Sequence, residues 1–473
     1  MNRFALLAAL VSLAACDNRP SFSEKEIASA PLGAGLPEGF LLGASTSAFQ
    51  TEGGLTNDWT GWESTTFPDG SPHIKNGDRA GRACGSYDLW SQDVAALEYL
   101  GANSYRFSLE WSRLEPADPG AGGALDPAAV QHYRDLLLAL RARGIRPLVT
   151  VYHFSLPTWV SAPGGWEWPG ALPAFESYAA RCGAAFGDLV DVWTTVNEPN
   201  GIAAEGYLNG RWPPGVSNSG RASRVYAELL KAHGLAAAAL RRSDTVDADG
   251  DGFATRVGIA HHVQILQPAS AAPLDSAIAG LTDDWVNEVP LRAAKTGRIT
   301  IDVPGDPLID ETFEPLKGSF DYLGINFYER NFVRADLGDP ALAQHYVPAD
   351  RPTNDVGWDV YPEGFYRVLV RYSGWGWPIY VLENGVSDED DDLRPRYLRA
   401  HLYALQRAVA DGADVRGYSH WSLMDNFELT EGFSSRFGLF EIDFSDPELR
   451  RKPRASTEVF REAARGLGLF PTP

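Results

Sequence analysis

The sequence predicts a single (β/α)8 barrel, a TIM barrel of the α/β class, over residues 36–473, and three observations predict it. Eight strand-like segments recur along the chain, several of them near-continuous apolar runs of the kind that parallel strands buried on both faces require. Helical patterns with recognisable starts and stops separate them. No linker divides the 473-residue chain after position 35, and barrels of this class run past about 250 residues as one unit.

The first sixteen residues, MNRFALLAALVSLAAC, carry one basic residue, Arg3, and then an apolar run from Phe4 to Ala15. The run is too short to cross a bilayer as a helix. It fits the apolar region of a secretory signal. Cleavage before Cys16 would put Leu13 where ordinary signals want a small residue. Leu13-Ala14-Ala15-Cys16 instead closely resembles the bacterial lipoprotein signal, in which the cysteine is lipidated and becomes the mature N-terminus. That resemblance implies an exported chain anchored to a bacterial membrane through Cys16, on the periplasmic or cell-surface side, and not spanning it. A plain secretory signal with a chance cysteine is the alternative. Residues 17–35 are polar, rich in small side chains and without apolar period, and read as a flexible tether.

The strand-like segments follow in order: FLLGAST (40–46), SYRFSLEW (104–111), IRPLVTVYHF (145–154) and VDVWTTVN (190–197). RVGIAHHV (256–263), FDYLGINFY (320–328), PIYVLEN (378–384) and VRGYSHWSL (415–423) complete the set. Between them, residues 88–101 place Leu89, Val94, Leu97 and Leu100 near one helical face, with Gly101 as a stop. Residues 126–144 start with Asp126 as N-cap and Pro127 in the first turn, and stop at Gly144. Residues 394–412 end in the same way, on a glycine.

Composition narrows the function. A formal net charge of −21 argues against nucleic acid and against an anionic membrane surface, both of which select basic patches. Three cysteines are too few for a disulfide scaffold. Cys84 and Cys182 read as buried thiols that would pair only in an exported protein. No Cys/His cluster has zinc spacing, and no cofactor is expected. DADGDG (247–252) has aspartates at positions 1, 3 and 5 and glycine at 6 of a calcium loop, but Gly258 stands where the bidentate Glu belongs. It is read as a solvated acidic turn, calcium being the alternative, and no metal is assigned. SDEDDDL (387–393) is likewise read as a solvated loop.

In a barrel of this kind the reactive residues sit at the C-terminal ends of the strands. The fourth strand ends in Asn197-Glu198, before a proline that a central strand cannot hold. The seventh ends in Glu383-Asn384. Two carboxyls facing one barrel mouth are what cleavage of a glycosidic bond needs: one protonated for the leaving oxygen, one ionised for the anomeric carbon. A pair of salt-bridge partners inside the barrel is the alternative reading.

The same segments, with FLLGASTSAFQTEGG, SYRFSLEWSRLEP, TVYHFSLP, TTVNEPN, GYLNGRWPPG, GINFY, YVLENG and HWSLMDNFE in this order, resemble glycoside hydrolase family 1, the β-glucosidase family. The likeness runs from Phe40 to Leu469. It implies a retaining double displacement, with Glu198 as acid/base and Glu383 as nucleophile. It implies that Asn197 binds the sugar 2-OH, that Arg106 and Tyr328 hold Glu383 ionised, and that Asn326 helps orient it. Gln50, His153 and Glu428 would bond sugar hydroxyls above a floor made by Trp421. The partner implied is a small β-glycoside or oligosaccharide, a glucoside first, with galactoside, fucoside or mannoside as alternatives. Transglycosylation by the same intermediate, and a silent surface sugar-binding module, are the other readings; keeping both glutamates speaks against the silent one. Three positions depart from the usual family pattern: Leu429 and Phe154 each replace a tryptophan, and Leu382 replaces a threonine. They put the sugar preference in question, not the reaction. A phospho-sugar specificity is set aside, because Glu428 stays acidic and LTEGFSSRFG has no lysine.

Overall fold

The computed structural model describes residues 21–120 and 122–470, so the signal segment and Cys16 lie outside the described residues. Eight strands form the barrel: β1 (Leu41–Ser45), β2 (Ser104–Ser108), β3 (Arg146–Tyr152), β4 (Val192–Asn197), β5 (Arg256–Pro268), β6 (Leu323–Ala335), β7 (Ile379–Asn384) and β8 (Val415–Trp421). Each pairs in parallel with the next. β8 returns to β1, Leu41 opposite Gly417 and Ser45 opposite Trp421, so the barrel closes without a free parallel edge. All eight strands stand where the apolar runs place them.

Helices cover the outside, as parallel connections require. Ser86–Leu100 ends against Gly101 at φ +70°, a left-handed stop that glycine takes without Cβ crowding. Pro127–Arg141 is capped by the Asp126 carboxylate, which accepts from the amides of Ala128 and Ala129. The barrel interior is filled by Leu41, Leu148, Val192, Ala260, Tyr322 and Leu382, a plug that closes the floor beneath the mouth. Gly324 makes room for it: a Cβ there would lie 2.4 Å from the Leu382 side chain.

Two regions differ from the sequence reading. Residues 17–35 are not a free tether over their described part. Ser23 caps a short helix, Glu24–Ser29. Phe22 packs edge-on against Tyr366 and Tyr403, at 5.9 and 5.2 Å between centroids. Leu32 is buried in the main core, and Gln406 donates to the carbonyls of Pro31 and Ala34. The apolar anchors are isolated in sequence, which is why no period announced them. β5 and β6 also run past the barrel rim, and Ala343–Tyr346 pairs antiparallel with the far end of β6. Cys84 and Cys182 are separate buried free thiols. No described helix is long and apolar enough to cross a membrane.

Candidate active site

Glu198 leaves β4 with a positive φ of +45°, a conformation few non-glycine residues adopt. Its amide donates to the Ala260 carbonyl at 2.7 Å, and Pro199 starts a short helix directly after it. The carboxyl is buried. Its Oε1 accepts from Asn326 Nδ2 at 2.8 Å, and its Oε2 lies 3.9 Å from His262 Nδ1. Burial pushes its pKa up to about 7, against the smaller opposing pulls of the Asn326 amide and the Arg106 charge.

Glu383, at the end of β7, is equally buried but differently held. Oε1 pairs with the Arg106 guanidinium, and Oε2 accepts from the Tyr328 hydroxyl at 2.6 Å. Burial raises this pKa too. Arg106 and Tyr328 oppose the rise, while the charge of Glu198 adds to it. A proton shared between the two carboxyls therefore resides on Glu198, which has an amide donor but no cation in contact. Charge resides on Glu383.

Arg106 is the hub. It is fully buried in the middle of β2, with Nε on Thr150 Oγ1 at 3.1 Å and Nη2 on Asn197 Oδ1 at 2.6 Å. Asn197 also accepts from Asn326 Nδ2 at 3.2 Å and lies 3.2 Å from His153 Nε2. Burial and the Arg106 charge push His153 well below the ordinary imidazole range, so the ring is neutral. With Nε2 accepting from the Asn197 amide, Nδ1 carries the hydrogen, and it has no hydrogen-bond partner among the described residues.

Across the mouth, Gln50 Nε2 donates to Glu428 Oε2 at 3.2 Å, and Trp421 Nε1 donates to Oε1 at 3.3 Å. Burial raises the Glu428 pKa to about 8. The Trp421 ring lies nearly parallel to His153, 17° apart, with centroids at 5.9 Å. Gln50, His153, Glu198, Tyr328, Glu383, Trp421 and Glu428 all line one cavity of about 430 Å³. Arg106, Asn197 and Asn326 sit immediately behind that wall. The structure thus brings together ten of the eleven predicted site residues; the eleventh, Cys16, is outside the described residues.

The three departures separate. Leu429 and Phe154 line the cavity, both with positive φ, and Phe154 packs on Trp212 at 4.7 Å. Leu382 does not reach it. Its side chain belongs to the barrel plug, so the expectation that it bears on sugar preference is corrected. Depth explains this: Tyr380 and Leu382 point into the barrel below the mouth, and the register shift between Val381 and Glu383 turns Glu383 inward one layer above them. Sequence reasoning missed His262, Glu205, Glu329 and Trp358, which line the outer wall and a contiguous chamber of about 720 Å³ or the passage into it. His262 is in β5, Glu205 in the π-helical turn Ala203–Leu208 after β4, Glu329 in β6 and Trp358 on a loop. The available signals were adjacency to quoted segments: Glu329 follows Tyr328, Glu205 precedes GYLNGRWPPG, and His262 lies within RVGIAHHV.

A parallel barrel whose mouth holds two buried, unequally supported carboxyls in a sugar-sized pocket defines a barrel enzyme built to break glycosidic bonds. The profile of Glycosyl hydrolase family 1 matches residues 33–468, and the chain belongs to that family. It is a glycosidase of the hydrolase class. It is 32% identical to a Beta-galactosidase of Pyrococcus woesei, over 92% of this chain and 98% of that one. It is 32% identical to Beta-glucosidase A of Thermotoga maritima, over 87% and 94%. The solved structure of a family 1 β-glucosidase from Thermotoga maritima superposes with a TM-score of 0.82 at 29% identity, covering 93% of this chain and 99% of that one.

Proposed function

We propose that the chain is a retaining β-glycosidase that removes terminal, non-reducing β-D-glycosyl residues, with a β-glucoside as its preferred substrate. The observation that carries this reading is the unequal support of the two carboxyls: Arg106 and Tyr328 on Glu383, the Asn326 amide alone on Glu198. Glu383 attacks the anomeric carbon while Glu198 gives its proton to the departing glycosidic oxygen. A glycosyl ester on Glu383 results. Water then attacks the same carbon, Glu198 takes its proton, and the Glu383 carboxylate leaves. Asn197 and the free Nδ1–H of His153 are assigned to sugar hydroxyls near the reacting carbon, Gln50 and Glu428 to those at the far end, and Trp421 to the ring face. Asn326, expected to help orient Glu383, instead donates to Glu198 and holds the acid.

Glucoside is chosen over galactoside because more of the similar relatives carry glucosidase names, among them Beta-glucosidase A of Thermotoga maritima and the cytosolic beta-glucosidase of Homo sapiens, while one carries the galactosidase name. Initial rates on p-nitrophenyl β-glucoside, galactoside, fucoside, mannoside and xyloside, compared side by side, test it. Fastest turnover of the glucoside supports the preference. A faster galactoside or fucoside would move the preference to Leu429 and Phe154 as its cause. No turnover of any member by folded protein would overturn the whole reading.

We infer further that the chain is exported and lipid-anchored at Cys16, on the strength of the apolar run and the Leu13-Ala14-Ala15-Cys16 ending. Cys16→Ala should move the enzyme from the membrane fraction to the soluble one. Retention of that variant on membranes after a high-salt wash would refute the anchor.

A further inference from the structure

At the opposite end of the barrel from the catalytic pair, the acidic loop 247–252 meets a buried carboxylate from another part of the chain. Asp191 immediately precedes β4 and is 2% exposed. Its Oδ1 accepts from the Ala248 amide at 2.6 Å, which fixes the carboxylate against the loop. Its Oδ2 has no hydrogen-bond partner. The nearest cation, Arg141 Nη1, stands 3.5 Å away and donates to the Leu189 carbonyl at 3.0 Å instead. A fully buried, unpartnered carboxylate oxygen is costly unless something positive reaches it.

The loop supplies the rest of a ligand set. One carboxylate oxygen each from Asp191, Asp247 and Asp249 lies within 4.8 Å of the other two. Oxygens bound to one calcium ion, at about 2.3–2.6 Å each, are separated by at most ~5 Å. That spacing admits a calcium ion, and aspartates at positions 1, 3 and 5 with glycine at 6 are the calcium-loop order. Asp244 and Asp251 flank the cluster. Asp244 is 2% exposed, and its Oδ1 also lacks a partner. Three arginines counter the five aspartates: Arg141 near Asp191, Arg146 at 2.9 Å from Asp249, and Arg256 at 2.8 Å from Asp251. Two negative charges are left over, the charge of one divalent cation.

We propose that loop 247–252 and Asp191 form a calcium site, in which Asp191 supplies from outside the loop the carboxylate that Gly258 does not. Asp247 is exposed and gives the ion a way in. The site ties the segment after helix Ser219–Ser243 to the starts of β4 and β5; the Arg256 amide already donates to the Asp191 carbonyl at 2.7 Å. It lies about 20 Å along β4 from Glu198, at the end of the barrel where stability rather than chemistry is decided. Its role is therefore structural.

Terbium(III) is the probe, because Trp193 is positioned to sensitise it: its Nε1 donates to Asp244 Oδ2 at 2.8 Å. After removal of bound metal with EDTA, excitation of tryptophan should produce terbium emission that calcium displaces and equimolar magnesium does not. The EDTA-treated enzyme should melt about 2–5 °C below the calcium-loaded one, with an unchanged initial rate at 25 °C. Both effects should vanish in Asp191→Asn and in Asp247→Asn; the second keeps the test open if the first does not fold, since its side chain is at the surface. Terbium emission that persists in Asp247→Asn would place the ion elsewhere and overturn the proposal. So would a melting temperature indifferent to EDTA and to calcium at about 1 mM, the range of weak extracellular sites.

Discussion

The two ends of β4 each gather carboxylates, and they resolve the resulting repulsion in different ways. At the mouth, Glu198, Glu383 and Glu428 face a single close cation, Arg106, which contacts only Glu383. The unpaired acids keep protons: burial lifts Glu198 to about 7 and Glu428 to about 8. At the floor, three arginines are distributed among the aspartates, and what they leave over fits a metal ion. A protonated carboxyl is a reagent, whereas a cation-bound carboxylate is a fastener. The same residue chemistry thus becomes catalytic or structural according to whether a proton or a fixed positive charge completes it.

The sharpest way to break this comparison is at Glu383. Glu383→Gln should lower kcat by at least ~10³-fold on every glycoside, since it removes the nucleophile itself. A loss under about tenfold would show that the paired carboxylate is not the reacting one. Next in size is Glu198→Ala. Its kcat should fall about 10²–10⁴-fold on alkyl glycosides and much less on dinitrophenyl glycosides, whose leaving group needs no proton. Equal losses on both would remove the acid assignment.

Tyr328→Phe takes one hydrogen bond from a charged oxygen, an interaction worth about 1.5–3 kcal/mol. It should lower kcat/KM by roughly 10–150-fold with the fold intact by circular dichroism. An unchanged kcat/KM would mean that Arg106 alone sets the charge on Glu383. The smallest effect is a shift in pH. Glu198 acts as an acid only while protonated, so kcat/KM should fall as pH rises through about 7. Asn326 donates to the ionised form and so holds that pKa down. Asn326→Ala should therefore move the alkaline limb to higher pH. Movement to lower pH, or none, would remove Asn326 from control of the acid.

The barrel and the catalytic pair were legible in the sequence for a physical reason. Strands buried on both faces must be apolar along their whole length, as in VDVWTTVN and PIYVLEN, and the reactive groups must stand where such runs end. The far wall of the pocket was not legible. Glu329 lies just past the end of the sixth segment and Trp358 on a loop, where burial follows no period, and His262 lies within the fifth segment without a motif to mark it. The N-terminal arm escaped notice because Phe22 and Leu32 are single anchors ten positions apart. Leu382 was singled out only as a departure from the family pattern, and its depth was not legible: it lies in the plug, one layer below the Glu383 that a register shift brings to the mouth. At the floor, DADGDG was visible as a motif, but Asp191, 56 positions before its first residue, joins it only through the fold.

The docked N-terminal arm also sets a leash length. With Phe22 fixed to the side of the barrel, the lipid proposed on Cys16 would have six residue steps of chain before it reaches the folded body. Fully extended, they span about 20 Å, against about 65 Å for a leash reaching to residue 35. A domain of this size has a radius of gyration of about 22 Å. The standoff would thus be no larger than the body it holds, and the barrel could not tumble freely above the bilayer. Which way the pocket opens relative to the membrane would be fixed by where Phe22 is seated, not left to chance.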